Sequence, residues 1–393
     1  MHQASTCGAR RADVIVIGAG LVGASTAWWL QQQGHAVVLI DPALAGPKGS
    51  EVGKPDPAVR SGSRAALGLL MADVAQRSSG RGWRLRQRSR ILWDLWCRQL
   101  AEAGWPVPRR PGLLVLAADA ETQERHQRLV LERQKRGVPL EWWERPQLER
   151  LDPLVPAAAL GGLYSPRDGQ IDPIAALEAL LGDGLRQGVQ GLAERVLHLE
   201  RPVNGGWSAV LAGGDHHRAD WVVIAAGLGS AGLLRQVPEL AGAAAIPPLE
   251  PVLGQALELE RGPDANDEAL WSWPGAVVWR GLNLVPRPDL AGGRRFWLGA
   301  TLEPGERADP LALERLRSLK GEAPPWLQQA RLLHSWQGCR CRPQGKPAPL
   351  LEALADGLLL VSGHYRNGVL LAPASAEWVA QQLEPATLPA AGT

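Results

Sequence analysis

Cysteine is scarce and no long apolar run occurs, and each shortage excludes something. The 4 Cys are too scattered to form a disulfide framework, which makes a reducing, cytoplasmic setting the default expectation. No stretch approaches the roughly 20 apolar residues needed to span a bilayer. The segment Met1–Ala12 lacks the apolar core of a secretory signal. Neither sign of charge dominates: 42 Lys and Arg against 40 Asp and Glu leave +2, so no bulk field argues for a nucleic acid or a membrane surface. There is no repeat of solenoid period, no Ser-His-Asp set and no paired-carboxylate constellation. The single Phe and the preference for Arg read as genomic composition, and the 17 Trp have no functional account. The composition, 45% hydrophobic and 21% charged, is ordinary for a globular protein, and 393 residues suffice for two domains.

What is present begins at Asp13–Asp41, DVIVIGAGLVGASTAWWLQQQGHAVVLID. Val14–Ile17 is a β-branched run expected as a strand buried on both faces. It enters a GxGxxG, in which Gly18 makes the tight turn, Gly20 admits a pyrophosphate to the backbone and Gly23 lets helix and strand pack closely. A helix follows, closed by Gly34, and a second apolar run, Ala36–Ile40, ends on Asp41, placed to accept hydrogen bonds from a ribose diol. A helix N-terminus here adds N–H groups and a positive dipole end for phosphates. The whole strand-turn-helix-strand-acid context points to dinucleotide binding.

Beyond it, 42–63 reads as a loop rich in Pro, Gly, Lys and Ser, and GSRAALGLLM (62–71) as a small, apolar segment that lets backbone lie near a flat ligand. Helices are expected over 81–103, 120–136, from Ile174, over 310–320 and over 374–383. The arginines of the first read as a solvated face. EWWERPQLERL (141–151) reads as a segment crossing between domains, GGLYSPRDGQIDP (161–173) as a turn-rich loop, and the surroundings of Trp336 as a Trp-Gly turn leading into Pro-rich chain. Strands are expected at 113–116, at 195–199 with a hairpin through Gly205-Gly206, at 221–227 and at 357–362. Trp221–Gly227 brings Gly227 to the cofactor side of a nucleotide sheet or is an ordinary core strand. From Pro247 to about Thr301, strands separated by Pro and Gly form a different layer, a mixed or antiparallel sheet.

GHYRNGVLLAP (363–373), taken with the opening βαβ unit, resembles the D-amino-acid oxidase superfamily of flavoproteins, and within it the glycine oxidase branch of thiamine biosynthesis. SGRGWRLRQRS (79–89), RVLHLER (195–201), LVPR (284–287), GATLEPG (299–305) and SWQGCR (335–340) match in the family's order. The resemblance implies an α/β fold, with a Rossmann-like FAD-binding domain of the p-hydroxybenzoate hydroxylase type and a mixed or antiparallel substrate domain. The first is expected over 1–90, 150–240 and 332–385, the second over 91–149 and 241–331, and 386–393 is a tail.

By motif, Leu21, Val22, Asp41 and Pro42 fall on the family's adenosine and pyrophosphate contacts. Gly62, Ser63, Leu67, Gly68 and Leu69 fall beside the isoalloxazine, and Val196 on the adenine side. His364, Tyr365, Arg366, Asn367, Gly368, Val369 and Leu370 fall along the flavin edge, where Gly363 and Gly368 suit a backbone near a ring plane. His364 is read there in a backbone role. Arg340 matches the arginine that clamps the substrate carboxylate, a task suited to a planar, always charged fork. Arg342 competes because it precedes Pro343, but counting from Trp336 selects Arg340. Arg366 matches a second arginine near the substrate.

Several positions depart from the family pattern. Asn283 stands where the family has a carboxylate-binding tyrosine, Leu302 replaces a methionine, Cys341 replaces the proline after the arginine, and the loop 48–60 is longer. No metal is expected of His334, Cys339 and Cys341, since two thiols two residues apart do not easily face one ion and a fourth ligand is missing. In the sarcosine oxidase branch a cysteine of roughly this segment bonds the flavin. Here noncovalent FAD and two reduced thiols are expected.

The implied reaction is FAD-dependent oxidative deamination of glycine or another small amino acid, with oxygen as acceptor and H2O2 as product. No side-chain base is needed once the amine is neutral. A D-amino-acid dehydrogenase passing electrons to a quinone or carrier, and a flavin-binding protein without turnover, stay open as alternatives. An NAD enzyme would leave the C-terminal motif without a role. The expected partners are a small amino-acid substrate and oxygen or another acceptor, with a homo-oligomer possible.

Overall fold

The computed structural model describes residues 12–45, 61–240, 247–262, 272–287 and 293–384. The long loop 48–60 and the tail 386–393 lie outside them. The chain opens with β1 (Ala12–Ile17), α1 (Leu21–Gln32), β2 (Val37–Ile40), β3 (Leu69–Leu70), α2 (Gly80–Glu102), β4 (Arg109–Ala117) and α3 (Ala120–Gln134). It continues through β5 (Glu141–Glu144), α4 (Arg145–Leu148), β6 (Gly161–Ile171), α5 (Pro173–Arg186), β7 (Gln190–Leu192), β8 (Val196–Glu200), β9 (Trp207–Leu211), β10 (His216–Ile224) and α6 (Ser230–Leu234). There follow β11 (Leu249–Glu260), β12 (Ala276–Trp279), β13 (Leu282–Arg287), β14 (Arg295–Gly299), β15 (Glu303–Pro304), α7 (Pro310–Arg317) and α8 (Pro325–Gln329). The chain closes with β16 (Arg331–Pro343), β17 (Leu350–Ala355), β18 (Leu358–Ser362) and α9 (Gly368–Leu383).

Local chemistry sets many of these bounds. Asp119 caps α3 by accepting from the Thr122 N–H at 2.7 Å, and Asp309 caps α7 ahead of Pro310. The apolar runs of β1 and β2 are buried throughout apart from Asp13, as a strand covered on both faces requires.

Packing separates two compact units: the described parts of Met1–Gly49, Leu177–Leu249 and Cys341–Thr393, and those of Ser50–Ala176 and Glu250–Arg340. The first unit is built on a sheet of order β17-β18-β10-β1-β2-β7. Its central pairs, β18–β10, β10–β1, β1–β2 and β2–β7, are parallel, and the β8–β9 hairpin continues antiparallel from β10. Helix α1 is nearly swallowed: α9 packs along it, and the fully buried Trp28 indole donates to Asp183 on α5 at 2.8 Å.

The second unit carries a sheet of order β15-β11-β14-β13-β12-β4-β6-β3, with β16 on β11 and β5 on β6. Its pairs are antiparallel apart from β12–β4 among those with a described register. One face alternates Leu114, Leu116, Leu257, Leu259, Leu284 and Leu298 into a core closed by Leu316 of α7 and Leu327 of α8. The mixed α/β architecture expected from the sequence is the one observed.

Four local readings are corrected. Residues 161–171 form an eleven-residue strand, because their glycines serve close packing: a Cβ on Gly162 would lie 2.6 Å from Leu114, and one on Gly169 2.3 Å from the Arg110 carbonyl. The presumed Trp-Gly turn is the interior of β16, where Gly338 leaves room for Ala65. Helix α9 begins at Gly368 rather than 374 and carries Pro373 inside it, where the buried run from Val369 to Ala376 outweighs one missing backbone bond. Residues 141–151, read as a crossing segment, become β5 and α4 of the second unit. Within 50–90 and 150–176, β3 pairs with β6 and β6 with β4, and β16 pairs with β11, so these stretches and 332–340 pack with the second unit.

Candidate active site

In the first unit, the turn after β1 sits flush on the end of β10. Gly18 has φ of +106°, and a Cβ there would lie 2.6 Å from the Ala225 carbonyl oxygen. A Cβ on Gly23 would lie 1.8 Å from the Gly18 oxygen, which no rearrangement of side chains relieves. Gly20 is the N-cap of α1, no side chain caps that end, and the first turn has no acidic residue, so the positive helix terminus suits an anionic group. Leu21 and Val22 open that first turn.

Asp41 follows β2 and is locked: one carboxylate oxygen accepts from the Ala19 N–H at 2.7 Å, the other from the Ala43 N–H at 2.8 Å. Each oxygen retains a further lone pair for a hydroxyl donor. The bond to Ala19 ties this acid to the glycine turn. A bare glycine cradle, an uncapped helix and an oriented acid fit the phosphates and ribose of FAD. Pro42 opens a short helical turn, Val196 is buried on β8, and Gly227, with φ of +55°, follows β10 and accepts from the Ser362 hydroxyl at 3.2 Å.

The C-terminal motif lies in the same unit. Gly363 (φ +64°) and Tyr365 (φ +53°) turn the chain from β18 into α9, and the Tyr365 N–H donates to the Cys341 carbonyl at 3.0 Å. His364 is buried, with Nε2 2.9 Å from the Ser375 hydroxyl. Ser375 spends its hydrogen on the Leu371 carbonyl, so Nε2 is the donor of the pair and His364 braces the turn. Arg366 is exposed, and Asn367 to Leu370 form the start of α9, another end without a side-chain cap. Burial pushes the Cys341 thiol above its usual range, which keeps it protonated.

In the second unit, Gly62 lies under β16, with room for no Cβ beside the Cys339 carbonyl at 2.9 Å. Ser63 accepts from the Ala66 N–H, Gly68 takes φ of +79° against Ile171, and Leu69 pairs with Gln170. Leu67 reaches the neighbourhood of Gly299, 3.0 Å from where a Cβ would stand.

Arg340 is half-buried on β16. Its Nη1 donates to the carbonyls of Leu253 (3.2 Å) and Thr301 (3.1 Å), and its guanidinium occupies the space a Gly254 side chain would fill, 2.4–2.6 Å from that position. Residues opposite one another on neighbouring strands share a face. Gly299 stands opposite both Ala256 and Asn283, and Gly254 is two residues from Ala256 on β11. Arg340, Leu67 and Asn283 therefore lie on one face of this sheet, over a floor of Gly254, Ala256 and Gly299. The same face carries Trp297 and Trp336, in edge contact with ring centroids 5.4 Å apart, and Arg287, stacked on Trp297 at 3.8 Å and paired with Asp172. Leu302 is exposed immediately after Thr301, and Arg342 is exposed near the Tyr365 ring.

Sequence reasoning missed Leu253, Gly254 and Thr301, although GATLEPG was a usable signal for the last. It also missed Asp168. This fully buried carboxylate gathers the backbone N–H groups of Ala72, Asp73 and Val74 at 2.7–3.0 Å and so pins the chain that follows β3. Burial, then the neighbouring Asp73 carboxylate, push it up to about 6 against those N–H bonds.

The chain is 25% identical to the glycine oxidase of Bacillus licheniformis over 384 residues, covering 95% of this chain and 93% of that protein. It is 26% identical to the bifunctional protein ThiO/ThiG of Nostoc sp. (strain PCC 7120), covering 94% of this chain and 52% of that one. The crystal structure of glycine oxidase from Geobacillus kaustophilus superposes with a TM-score of 0.79 at 25% identity, over 97% of both chains. Residues 13–382 match the family model described as DAO, FAD dependent oxidoreductase, and the chain belongs to that family of FAD-dependent enzymes.

Proposed function

We propose that the protein oxidises glycine or another small amino acid to the imino acid, releases H2O2, and supplies thiazole synthesis for thiamine in the cytoplasm. The observation that carries the reading is Arg340, held by two backbone carbonyls over a floor of small residues on the face that also bears Asn283. The names of the relatives, glycine oxidase and ThiO/ThiG, support the substrate class and the pathway. Among the described residues no helix is long and apolar enough to cross a membrane.

Bound FAD supplies the two-electron acceptor and, through its reoxidation by oxygen, the peroxide. Arg340 pairs with the substrate carboxylate and fixes its orientation, a charge-assisted contact suited to a planar fork. The Asn283 amide donates a further hydrogen bond to that carboxylate in place of a tyrosine hydroxyl. The glycine cradle and Asp41 hold the dinucleotide.

The test is anaerobic mixing with glycine, sarcosine, D-alanine, D-phenylalanine and D-proline, following loss of the flavin band. Glycine or another small substrate should bleach it, and an oxygen electrode should then record uptake. Fast bleaching by D-phenylalanine with none by glycine would remove the glycine reading.

A further inference from the structure

Of the two residues whose carbonyls hold Arg340, Thr301 bonds the buried Glu303 carboxylate through its hydroxyl and Leu253 pairs with Glu303 in the sheet. Three groups converge on it: the Thr301 hydroxyl and the Gln255 Nε2 (3.0 Å) on one oxygen, and the Asp309 N–H (2.6 Å) on the other. All three are donors, and an ionised carboxylate is acceptor-only, so the match is complete and an amide at 303 would set a donor against a donor. The Gln255 N–H donates to Thr301 Oγ1 at 2.7 Å, which turns that hydroxyl's hydrogen onto Glu303. The Thr301 N–H returns to the Gln255 carbonyl at 3.1 Å, and Leu253 pairs with Glu303 across β11 and β15. Thr301, Glu303 and Gln255 are each 7–8% exposed. The Glu303 carboxylate thus ties Thr301, which carries one Arg340 acceptor, to Gln255, two residues along β11 from Leu253, which carries the other.

We propose that Glu303 is a positioning residue for the substrate-binding arginine, acting through the Thr301 and Leu253 carbonyls. The inference rests on Arg340 being the carboxylate site. It predicts that Glu303 tunes carboxylate affinity without touching substrate.

The test is a double-mutant cycle on the FAD-loaded full chain with E303Q, R340L and the two combined. Affinity for acetate, a carboxylate that cannot be oxidised, is read from its perturbation of the flavin band, and KM and kcat are read with glycine. A lost buried hydrogen-bond brace is worth about tenfold, so E303Q should raise the acetate Kd and the glycine KM about tenfold, with kcat within about twofold. Because the effect travels through Arg340, E303Q should add less than about twofold in the R340L background. T301V removes the relay hydroxyl and should copy E303Q, while T301S should restore wild-type values. These two variants decide the question if E303Q does not fold. A full multiplicative loss in the R340L background, or a fall in kcat with unchanged acetate affinity, overturns the positioning role. Unchanged acetate affinity in R340L itself overturns the carboxylate reading, and this inference falls with it.

Discussion

The proposed glycine cradle of the first unit and the proposed arginine clamp of the second are made in opposite ways. The cradle is contiguous chain, 13–41, whose function is carried by atoms that are missing: a side chain at Gly18 or Gly23 has nowhere to go. The clamp is one long side chain supported from far away in sequence, 87 residues to Leu253 and 39 to Thr301. Its function is carried by atoms that are present. The first should therefore break when atoms are added and the second when atoms are removed, and the consequences differ in kind.

The largest effect is expected from Gly23→Val. A Cβ 1.8 Å from a backbone oxygen forces β1 and α1 apart, a cost above about 4 kcal/mol, and no soluble yellow protein should be recovered. Gly20→Val sharpens the point. It should fold, by circular dichroism and thermal melting, yet fail to retain FAD, because the added side chain occupies the pyrophosphate's approach. A yellow Gly20→Val protein would remove the cradle reading.

Next in size is the clamp. Arg340→Leu should weaken carboxylate binding by about 2–4 kcal/mol, read as a rise in KM, while the protein stays yellow. Arg342→Leu, whose side chain is exposed, should stay close to wild type. The reverse ranking would shift the register through Cys341 by two residues.

The smallest effect concerns pH, and it lies wholly in the second unit. Asp168 has its folded pKa pushed up to about 6 from 3.8. The native state then holds a proton that the unfolded chain releases, so this stabilisation is complete below about pH 4 and lost as pH rises through about 6. His126 is pushed down to about 4 from 6.5 by burial, and then by Arg125. The unfolded imidazole takes a proton that the native one refuses, so this contribution is complete above about pH 6.5 and lost as pH falls towards 4. The two slopes oppose each other over one window. His126→Gln should make stability fall more steeply than wild type as pH rises from 4 to 6, and Asp168→Asn should make it fall towards acid, each by on the order of 2 kcal/mol in urea titrations. Parallel profiles for wild type and both variants would refute the assignment.

The same contrast explains what could be read from the sequence. The cradle was legible because glycine spacing, strand run, helix and Asp41 all lie within one short window. Arg340 was legible only through resemblance, since nothing in SWQGCR announces a partner on β11 or after β14. Strands β6 and β16 were misread because glycine was taken as a sign of turns. In both, glycine instead lets a neighbour come within van der Waals contact. Asp168 was hidden in the same way, as an Asp-Gly pair that looks like a turn and is in fact the anchor of another segment. The brace around Glu303 needs three-dimensional donor counting, which no linear pattern supplies.

The packing of α9 along α1 sets a timetable for synthesis. Gln32 ends the first helix and Gly368 begins the last, so roughly 340 residues separate them. At about 5–20 residues per second, a ribosome needs on the order of 20–70 s to make that interval. Through all of it the nascent α1, with its tryptophans and leucines, lacks the helix that will cover it. The first helix to be made is thus covered late, and the cell must keep that apolar helix from foreign partners until α9 emerges.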